Sequence, residues 1–263
     1  MLENQKKIWI TGASSGIGKA LALKFAKENW KVAISARRKE LLDQIAHDKN
    51  ISSFPLDVTD DSKVQETVSN ILNEFKNIDL CVFCSGAYDP KLEQEINKQQ
   101  IRKIMNINFF GVLNCIKAVE YYFKNKKEGQ ISIVSSVAAY RGLPNSSGYG
   151  PSKAALTNLT ESLYFDFKKY NVRISLISPG FIKTPLTNQN TFNMPFIKTP
   201  EFAADKMYYG LTKGNAFEIH FPKELTLFLK FLEKLSTLLE NGFQKSYLRL
   251  IHYISYQRQI LVF

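Results

Sequence analysis

The stretch Ile8-Trp9-Ile10-Thr11-Gly12-Ala13-Ser14-Ser15-Gly16-Ile17-Gly18 decides the fold of this chain. Its first four residues are apolar or β-branched and predict a strand, and three glycines then let the backbone turn tightly. A segment with apolar residues at helical spacing follows, from about Gly16 to Glu28. This order predicts an anion-binding cradle, because a helix N-terminus presents unpaired N–H groups and a positive dipole end. An ordinary structural turn is the alternative.

The rest of the chain alternates short apolar, β-branched runs with longer segments of helical periodicity. The predicted strands are Ile8–Thr11, Lys31–Ser35, Ile51–Leu56, Ile78–Cys84, Gln130–Ser135, Val172–Ile177 and Ala216–Phe221. The predicted helices are Gly16–Glu28, Lys39–His47, Asp60–Phe75, Gln99–Lys124 and Tyr149–Tyr170. We therefore predict an α/β fold, a single doubly wound, Rossmann-like domain with a parallel sheet of about seven strands and helices on both faces. This domain spans residues 1–221, and residues 222–263 form a C-terminal helical extension.

Composition and charge favour a soluble globular protein. Hydrophobic residues make up 44% of the chain and charged residues 22%, which argues against wholesale disorder. The net charge is +11, but the basic residues are spread along the chain without aromatic residues interleaved on one predicted face. We therefore expect a solvated, lysine-rich surface and no nucleic-acid partner. The polar first residues lack the apolar core of a signal peptide, which favours a cytoplasmic location.

Cys81 and Cys84 form a C-x-x-C pattern, and Cys115 is the third cysteine. The pair lies in an apolar run that predicts a buried strand, where residues three apart point to opposite faces. That geometry is poor for a metal or redox pair, so no metal site is predicted. Three cysteines also give no disulfide framework, and a reducing compartment is the natural inference.

The second predicted strand ends in Ser35-Ala36-Arg37-Arg38. Rossmann domains that bind NAD carry an acidic residue near this point, which binds the ribose 2′-hydroxyl. A carboxylate would repel a 2′-phosphate, whereas a guanidinium grips it with two hydrogen bonds. Arg37 and Arg38 therefore favour NADP(H) over NAD(H). Alternatively, both arginines are solvated residues at the start of a helix.

Four further positions follow the cradle in a fixed order. They are Asn108 in Asn108-Phe109-Phe110-Gly111, Ser136 at the end of a strand, and Tyr149 and Lys153 on one helix. Together with the G-x-x-x-G-x-G spacing of the cradle, this set resembles the short-chain dehydrogenase/reductase family. The resemblance covers about residues 7–184. It implies an NADP(H)-dependent oxidoreductase that acts on a small carbonyl or alcohol substrate and forms a homodimer or homotetramer.

The chemistry of carbonyl reduction explains these residue types. Reduction needs a hydride at carbon and a proton at oxygen, and tyrosine can give the proton, although its unperturbed pKa is about 10. Lys153 lies four residues after Tyr149 on the same helix face, where its ammonium favours the phenolate. The resemblance implies that Lys153 also binds the nicotinamide ribose, that Ser136 holds the substrate oxygen, and that Asn108 anchors a proton-relaying water. Ser135 is a rival for Ser136, and the register of the family favours the second serine.

The resemblance implies further cofactor contacts at the ends of several strands. They are Asp57 and Val58 at the adenine, Ser85 and Gly86 near the cofactor, and Pro179, Gly180, Ile182 and Thr184 at the nicotinamide. By itself, Asp57 is equally a helix cap or a turn former, and Pro-Gly indicates only a turn. The family usually has Asn-Asn-Ala-Gly where this chain has Cys84-Ser85-Gly86-Ala87. The small residues are kept, but the bracing hydrogen bond of the first Asn is lost.

The last third of the chain is the least regular. Thr184–Pro200 is rich in Asn, Thr and Pro and predicts a mobile loop over the mouth of the site. Beyond Pro222, Leu and Phe recur at helical spacing among lysines, which fits an apolar wall or subunit contact, a membrane-surface helix, or core packing. The hypotheses are therefore a carbonyl reductase for an apolar substrate, a membrane-peripheral lipid-metabolising enzyme with the same chemistry, or a non-catalytic dinucleotide-binding regulator.

Overall fold

Seven parallel strands form the central sheet of the computed structural model, which describes residues 5–92, 95–190 and 192–238. The strands are β1 (Lys7–Thr11), β2 (Lys31–Ser35), β3 (Ile51–Ser53), β4 (Leu80–Phe83), β5 (Gln130–Val134), β6 (Arg173–Pro179) and β7 (Glu218–Phe221). Their order across the sheet is β3-β2-β1-β4-β5-β6-β7. The direction of winding reverses between β1 and β4, which opens a crevice at the carboxyl ends of the strands. The predicted doubly wound α/β fold is confirmed.

Helices cover both faces of this sheet. They are α1 (Gly16–Lys27), α2 (Lys39–Ile45), α3 (Asp61–Phe75), α4 (Lys98–Met105), α5 (Gly111–Lys126), α6 (Tyr149–Lys168), α7 (Pro200–Thr212) and α8 (Lys223–Leu238). On one face, Phe25 of α1 and Met207 of α7 pack with Ile10 of β1. On the other, Val68 of α3 and Cys115 of α5 belong to a second apolar cluster. An apolar cluster on each face of the sheet therefore fixes the position of the strands whose carboxyl ends form the crevice.

Helix α7 is an element that the sequence patterns did not predict. Its buried residues are Ala203, Ala204, Met207 and Leu211, so large apolar side chains enter the buried face in the second half of the helix. The helix begins at Thr199, whose hydroxyl accepts a hydrogen bond from the backbone N–H of Phe202 at 3.2 Å. Thr199 and Pro200, at the end of the predicted loop, are therefore the N-cap and the first residue of α7.

The segment predicted as one helix, Gln99–Lys124, has the right extent but is not regular. Helix α4 passes into a π-helical turn, Asn106–Phe110, before α5 begins. A π-turn inserts a residue into the helix and re-aims the side chains around it. Asn108 lies at its centre and is fully buried.

The C-x-x-C pair behaves as strand geometry predicts. Cys81 lies in the apolar cluster on one side of the sheet, whereas Cys84 packs against the cluster on the other side. Burial raises the pKa of the Cys84 thiol to about 11, so the thiol stays neutral at ordinary pH. Cys84 also donates its backbone N–H to the Thr11 hydroxyl at 3.2 Å, which braces β4 against β1.

Helix α8 packs partly in the core, which is one of the three interpretations that its sequence allowed. Leu225 and Leu232 are buried, so part of the helix is core. Leu227 and Phe231 remain more than half exposed, so the helix also has an apolar outer face. No helix among the described residues is both long and apolar enough to cross a bilayer. The rest of the predicted extension, residues 239–263, lies outside the described part of the chain.

Candidate active site

The glycine-rich turn lies in the crevice at the carboxyl ends of β1 and β4. Gly12 has φ +69°, and a Cβ there would lie 2.7 Å from the backbone oxygen of Cys84. A Cβ on Gly18 would lie 2.5 Å from the backbone oxygen of Gly12. Both contacts are closer than any side chain tolerates, so the turn folds tightly against the end of β4 and the start of α1.

The N-terminus of α1 is left open to the crevice. Ser15 precedes the helix with an extended backbone and makes no side-chain cap, and the first turn holds no acidic residue. The first N–H groups of a helix have no partner within it, so they are available to an anion. Ser14, Ile17 and the glycines around them thus form a cradle suited to a pyrophosphate.

Arg38 is the arginine that reaches this cradle. Its Nη2 donates hydrogen bonds to the Ser14 hydroxyl at 2.8 Å and to the Ser15 hydroxyl at 3.2 Å. Arg37 is also exposed, but it is Arg38 whose guanidinium lies against the glycine-rich turn. The sequence did not distinguish Arg37 from Arg38 as the arginine that contacts the cradle. The path of the chain after β2 decides that it is Arg38.

Lys153 lies on the first turn of α6 and is only 4% exposed. Its ammonium donates a hydrogen bond to the backbone oxygen of Val134 at 2.9 Å. Burial lowers the pKa of Lys153 to about 8. A neutral carbonyl compensates this charge less than a carboxylate would, so the field of the ammonium acts on its surroundings.

Tyr149 begins α6, and Lys153 follows it by one helical turn. The ammonium of Lys153 lies 5.7 Å from the centre of the Tyr149 ring. The Tyr149 ring, half-buried, also packs against the ring of Tyr88 at a centroid distance of 4.9 Å. Tyr88 follows β4 and donates its hydroxyl to the backbone oxygen of Asn145. The tyrosine is therefore held between the loop after β4 and the lysine.

Asn108 ties α6 to the loop after β4. Its amide oxygen accepts the N–H of Ala87 at 2.7 Å, and its amide nitrogen donates to the backbone oxygen of Ala87 at 3.0 Å. The same nitrogen donates to the Ser152 hydroxyl at 2.9 Å, and Ser152 donates to the backbone oxygen of Tyr149 at 2.7 Å. Asn108 is thereby fixed beside the start of α6.

The two serines after β5 have different surroundings. The Ser135 hydroxyl donates to the backbone oxygen of Lys153 at 2.9 Å and lies 2.9 Å from the Thr157 hydroxyl oxygen. It is therefore committed to fastening α6. The Ser136 oxygen accepts only the nearby N–H of Ala138 at 3.1 Å among the hydrogen bonds of the described residues, so its proton is left to donate elsewhere.

The residues predicted to contact the adenine follow β3, and those predicted to lie near the rest of the cofactor follow β4. The Asp57 carboxylate accepts the N–H and hydroxyl of Thr59 at 3.0 and 2.8 Å, which is the turn-forming role left open by the sequence. Val58 is buried. Ser85 and Gly86 follow β4, and a Cβ on Gly86 would lie 3.6 Å from the Lys153 ammonium. The backbone at Gly86 thus runs beside the lysine.

The segment after β6 closes the crevice. Pro179 ends the strand, and Gly180 donates its N–H to the backbone oxygen of Phe221 at 2.7 Å. Ile182 is 1% exposed. Thr184 returns to the cradle, because a Cβ on Gly16 would lie 3.0 Å from its Cγ2 methyl. The structure therefore brings Thr184 against the first residue of α1.

Ser152 is a site residue that sequence reasoning missed. It is fully buried and links Asn108 to Tyr149. Its position three residues after Tyr149, on the same side of α6, was the available signal. A second missed group joins the segment after β5 to β7 and α8. The Tyr140 hydroxyl donates to the Glu218 carboxylate at 2.6 Å, and the other oxygen of Glu218 accepts from Lys230.

The doubly wound sheet and the glycine cradle at its switch point define a nucleotide-binding domain of the Rossmann type. A profile of the short chain dehydrogenases matches residues 6–194. The chain belongs to the short-chain dehydrogenase/reductase family, which is a family of oxidoreductases.

Individual relatives agree with this assignment. An uncharacterized oxidoreductase of Myxococcus xanthus is 32% identical over 223 residues, which cover 83% of this chain and 88% of that protein. The 3-oxoacyl-[acyl-carrier-protein] reductase FabG of Thermotoga maritima is 32% identical over 68% of this chain and 75% of its own. The structure of ElxO with NADP bound matches 82% of this chain and 97% of its own with a TM-score of 0.74 and 28% identity.

Proposed function

We propose that this chain is an NADP(H)-dependent oxidoreductase that interconverts a carbonyl and an alcohol on an apolar small molecule. The observation that carries the proposal is the buried ammonium of Lys153, bound to the backbone oxygen of Val134 and 5.7 Å from the ring of Tyr149. A buried cation beside a phenol lowers the free energy of the phenolate, and therefore prepares the phenol for proton transfer near neutral pH.

The cofactor is NADP(H). The tight turn at Gly12 and the N-terminus of α1 fit a pyrophosphate, since a helix N-terminus without a side-chain cap presents unpaired backbone N–H groups to an anion. Arg38, at the end of β2 and against Ser14, supplies a cation where an NAD-binding domain has a carboxylate. The structure of ElxO, to which this chain is similar, has NADP bound.

Each member of the site has a separate role. Ser136 donates a hydrogen bond to the substrate oxygen, and Tyr149 gives that oxygen its proton in reduction or takes it in oxidation. Lys153 stabilises the phenolate, while Asn108 holds α6 and the loop after β4 together and leads protons toward solvent. When bound, NADPH supplies the hydride, and the protein contributes orientation and electrostatics.

Two features favour an enzyme over a dinucleotide-binding regulator. The hydroxyl of Ser136 keeps its proton for an outside acceptor, whereas Ser135 is committed to α6. Lys153 is held buried without a carboxylate in its hydrogen bond, which costs stability and serves no packing purpose. A domain that only binds the cofactor does not need a serine hydroxyl that is left to donate to a substrate oxygen.

The assembly that we propose is a homodimer or homotetramer. Large side chains stand exposed on α5 and α6, with Tyr121 at 77% and Phe165 at 71% exposure. Aromatic residues of this kind are enriched at protein interfaces. Light scattering on the purified chain measures the assembly, and a monomer at all concentrations would contradict this part of the proposal.

Substitution of Tyr149 tests the reaction itself. Tyr149→Phe removes the hydroxyl and keeps the ring that packs on Tyr88, so kcat should fall by about 10²–10⁴-fold with NADPH affinity nearly unchanged. Tyr209→Phe, at an exposed tyrosine of α7, is the matched control and should keep full activity. Turnover of a ketone by Tyr149→Phe at the wild-type rate would disprove the mechanism.

A second candidate is a membrane-peripheral reductase of lipid metabolism with the same chemistry. The observation in its favour is the exposed apolar outer face of α8. A cofactor-linked screen of ketones, aldehydes, steroids and acyl chains separates the two, because the second candidate requires turnover of long-chain lipids.

A further inference from the structure

The outer face of α8 carries large apolar side chains that do not pack on the domain. Leu227 is 57% exposed, Phe231 60% and Phe228 37%. Leu225 and Leu232 already supply the buried contacts of the helix, at 5% and 4% exposure. Helix α8 therefore has one apolar face that packs on the domain and a second apolar strip that is exposed.

Lysines line one edge of this strip. Lys223, Lys230 and Lys234 are spaced seven and then four residues apart, so they lie on one side of the helix. Lys230 pairs with Glu218. Among the ion pairs of the described residues, Lys223 and Lys234 have no carboxylate partner. An apolar strip bordered by lysines is the pattern of a helix that lies in a membrane surface.

The loop after β6 extends the same surface. Phe196 is 52% exposed and Ile197 40% exposed. The next residue, Lys198, forms an ion pair with Glu224 on the first turn of α8 at 3.7 Å, which places the loop beside the helix. The surface therefore has two sources of exposed apolar side chains, the loop and the outer face of α8.

Lys198, α8 and Glu218 together carry four lysines (Lys198, Lys223, Lys230 and Lys234) and three carboxylates (Glu218, Glu224 and Glu233), so the positive excess of this surface is small. Lys198 and Lys206 both lie over the ring of Phe202, at 5.5 and 5.4 Å from its centre. His220 lies between β7 and α8, and burial together with Lys230 and Lys223 lowers its pKa to about 4, so it adds no charge at neutral pH. Glu218 and Glu224 are each already paired with a lysine.

We propose that the outer face of α8 and the adjoining loop, Phe196–Lys198, dock this protein on an anionic phospholipid bilayer. The apolar side chains enter the interface, and the lysines meet the phosphate and carboxylate groups of the lipids. A contact with a second copy of the chain is the alternative occupant of this surface, and the mass of the point variants in solution decides between the two.

Flotation of the purified full-length chain with vesicles tests the docking. The chain should float with vesicles that contain phosphatidylserine and far less with vesicles of phosphatidylcholine alone. High salt should release it, since the lysine contribution is screened. Absence of binding to the phosphatidylserine vesicles would overturn the proposal.

Point variants test which side chains make the contact. Removal of α8 is unsuitable because Leu225 and Leu232 belong to the core. Leu227→Asn with Phe231→Asn should lower the vesicle partition coefficient by about tenfold or more. The control is Leu23→Asn with Tyr209→Asn, which removes two exposed large apolar side chains of α1 and α7 and should leave partition unchanged.

Charge reversal is tested separately. Lys223→Glu with Lys234→Glu should lower partition by about tenfold or more, because each lysine near an anionic surface contributes about 1 kcal/mol, or about fivefold in partition. The matched control is Lys63→Glu with Lys117→Glu, at exposed lysines of α3 and α5. Equal losses in both pairs would mean that only net charge matters, which contradicts a specific face.

The outcome for self-association is also decisive. If Leu227→Asn with Phe231→Asn halves the mass of the particle in solution, the surface is a contact between copies and the proposal is wrong. The docking and the proposed function fail independently. Tyr149→Phe should bind vesicles like the wild type, whereas a protein that reduces ketones but never floats retains its function without the docking.

Discussion

Two regions of this molecule fasten a helix with a lysine, and they use its charge differently. At the start of α6, Lys153 is buried and bonded to the backbone oxygen of Val134. On α8, Lys230 pairs with the Glu218 carboxylate, which also accepts from Tyr140. Burial alone would raise the pKa of Glu218, but the hydrogen bonds from Lys230 and Tyr140 outweigh it and hold that pKa below its usual value.

The two lysines differ in the charge of their hydrogen-bond acceptor, and this decides how far the charge of each lysine acts on other groups. A lysine neutralised by a carboxylate anchors a helix and leaves little field outside the pair. A buried lysine with a neutral acceptor costs stability, yet its charge still acts on neighbouring groups such as Tyr149. The charge of Lys153 is therefore left to act on its neighbours, whereas the charge of Lys230 is used to attach α8.

The largest expected effect separates the two lysines by activity. Lys153→Met should lower kcat by about 10²–10⁴-fold, because the phenolate of Tyr149 loses its adjacent cation. Lys230→Met is the matched control and should keep kcat within a few-fold. Steady-state kinetics on a reduced ketone measure both, and equal losses would remove the distinction between the regions.

The next effect is on stability and its pH dependence. The pKa of Lys153 is about 8 in the folded chain against an ordinary 10.5, so the unfolded chain binds more protons between these values. Its cost is full below pH 8 and disappears as the pH rises to 10.5. The stability advantage of Lys153→Met over the wild type should therefore shrink by about 3 kcal/mol across this range.

Urea unfolding at several pH values measures this change. Lys63→Met, on an exposed lysine of α3, should show a difference from the wild type that does not vary with pH. An advantage of Lys153→Met that grew toward high pH would have the wrong sign for a buried ammonium.

Arg38 should show a smaller effect, on cofactor affinity. Arg38→Ala should raise the Kd for NADPH by about tenfold to a hundredfold, because a charged hydrogen bond contributes about 1.5–3 kcal/mol. Arg37→Ala should change it less, since the guanidinium of Arg38 is the one against Ser14. Equal affinity of the wild type for NADPH and NADH would refute the role of both arginines.

The smallest effect is expected at the attachment of α8. Lys230→Met should lower the free energy of unfolding by about 1 kcal/mol, because it leaves the Glu218 carboxylate with Tyr140 alone. The stabilisation exists while Glu218 is ionised, so it should vanish as the pH falls through its lowered pKa. Combining Lys230→Met with Glu218→Gln should restore much of the loss if the pair is coupled.

Features that depend on residues close together in the chain could be predicted from the sequence, whereas features that depend on contacts between distant segments could not. The glycine turn and the strands could be predicted because local spacing sets them, whereas Asn108, Ser136, Tyr149 and Lys153 were proposed from their resemblance to a family pattern. The π-turn at Asn108 was not, since it depends on packing between α4, α6 and the loop after β4. Helix α7 was missed because the first half of its buried face consists of Ala203 and Ala204, which give a weak helical pattern in the sequence.

The sequence by itself determined the doubly wound fold and the phosphate cradle. These depend on periodicity of two or 3.6 residues and on glycines at a turn, which act over short stretches of chain. Only the tertiary structure decided that Arg38 rather than Arg37 meets the cradle, that Ser152 links Asn108 to Tyr149, and that α8 keeps an exposed outer face. Those contacts join residues far apart in the chain, so folding alone brings them together.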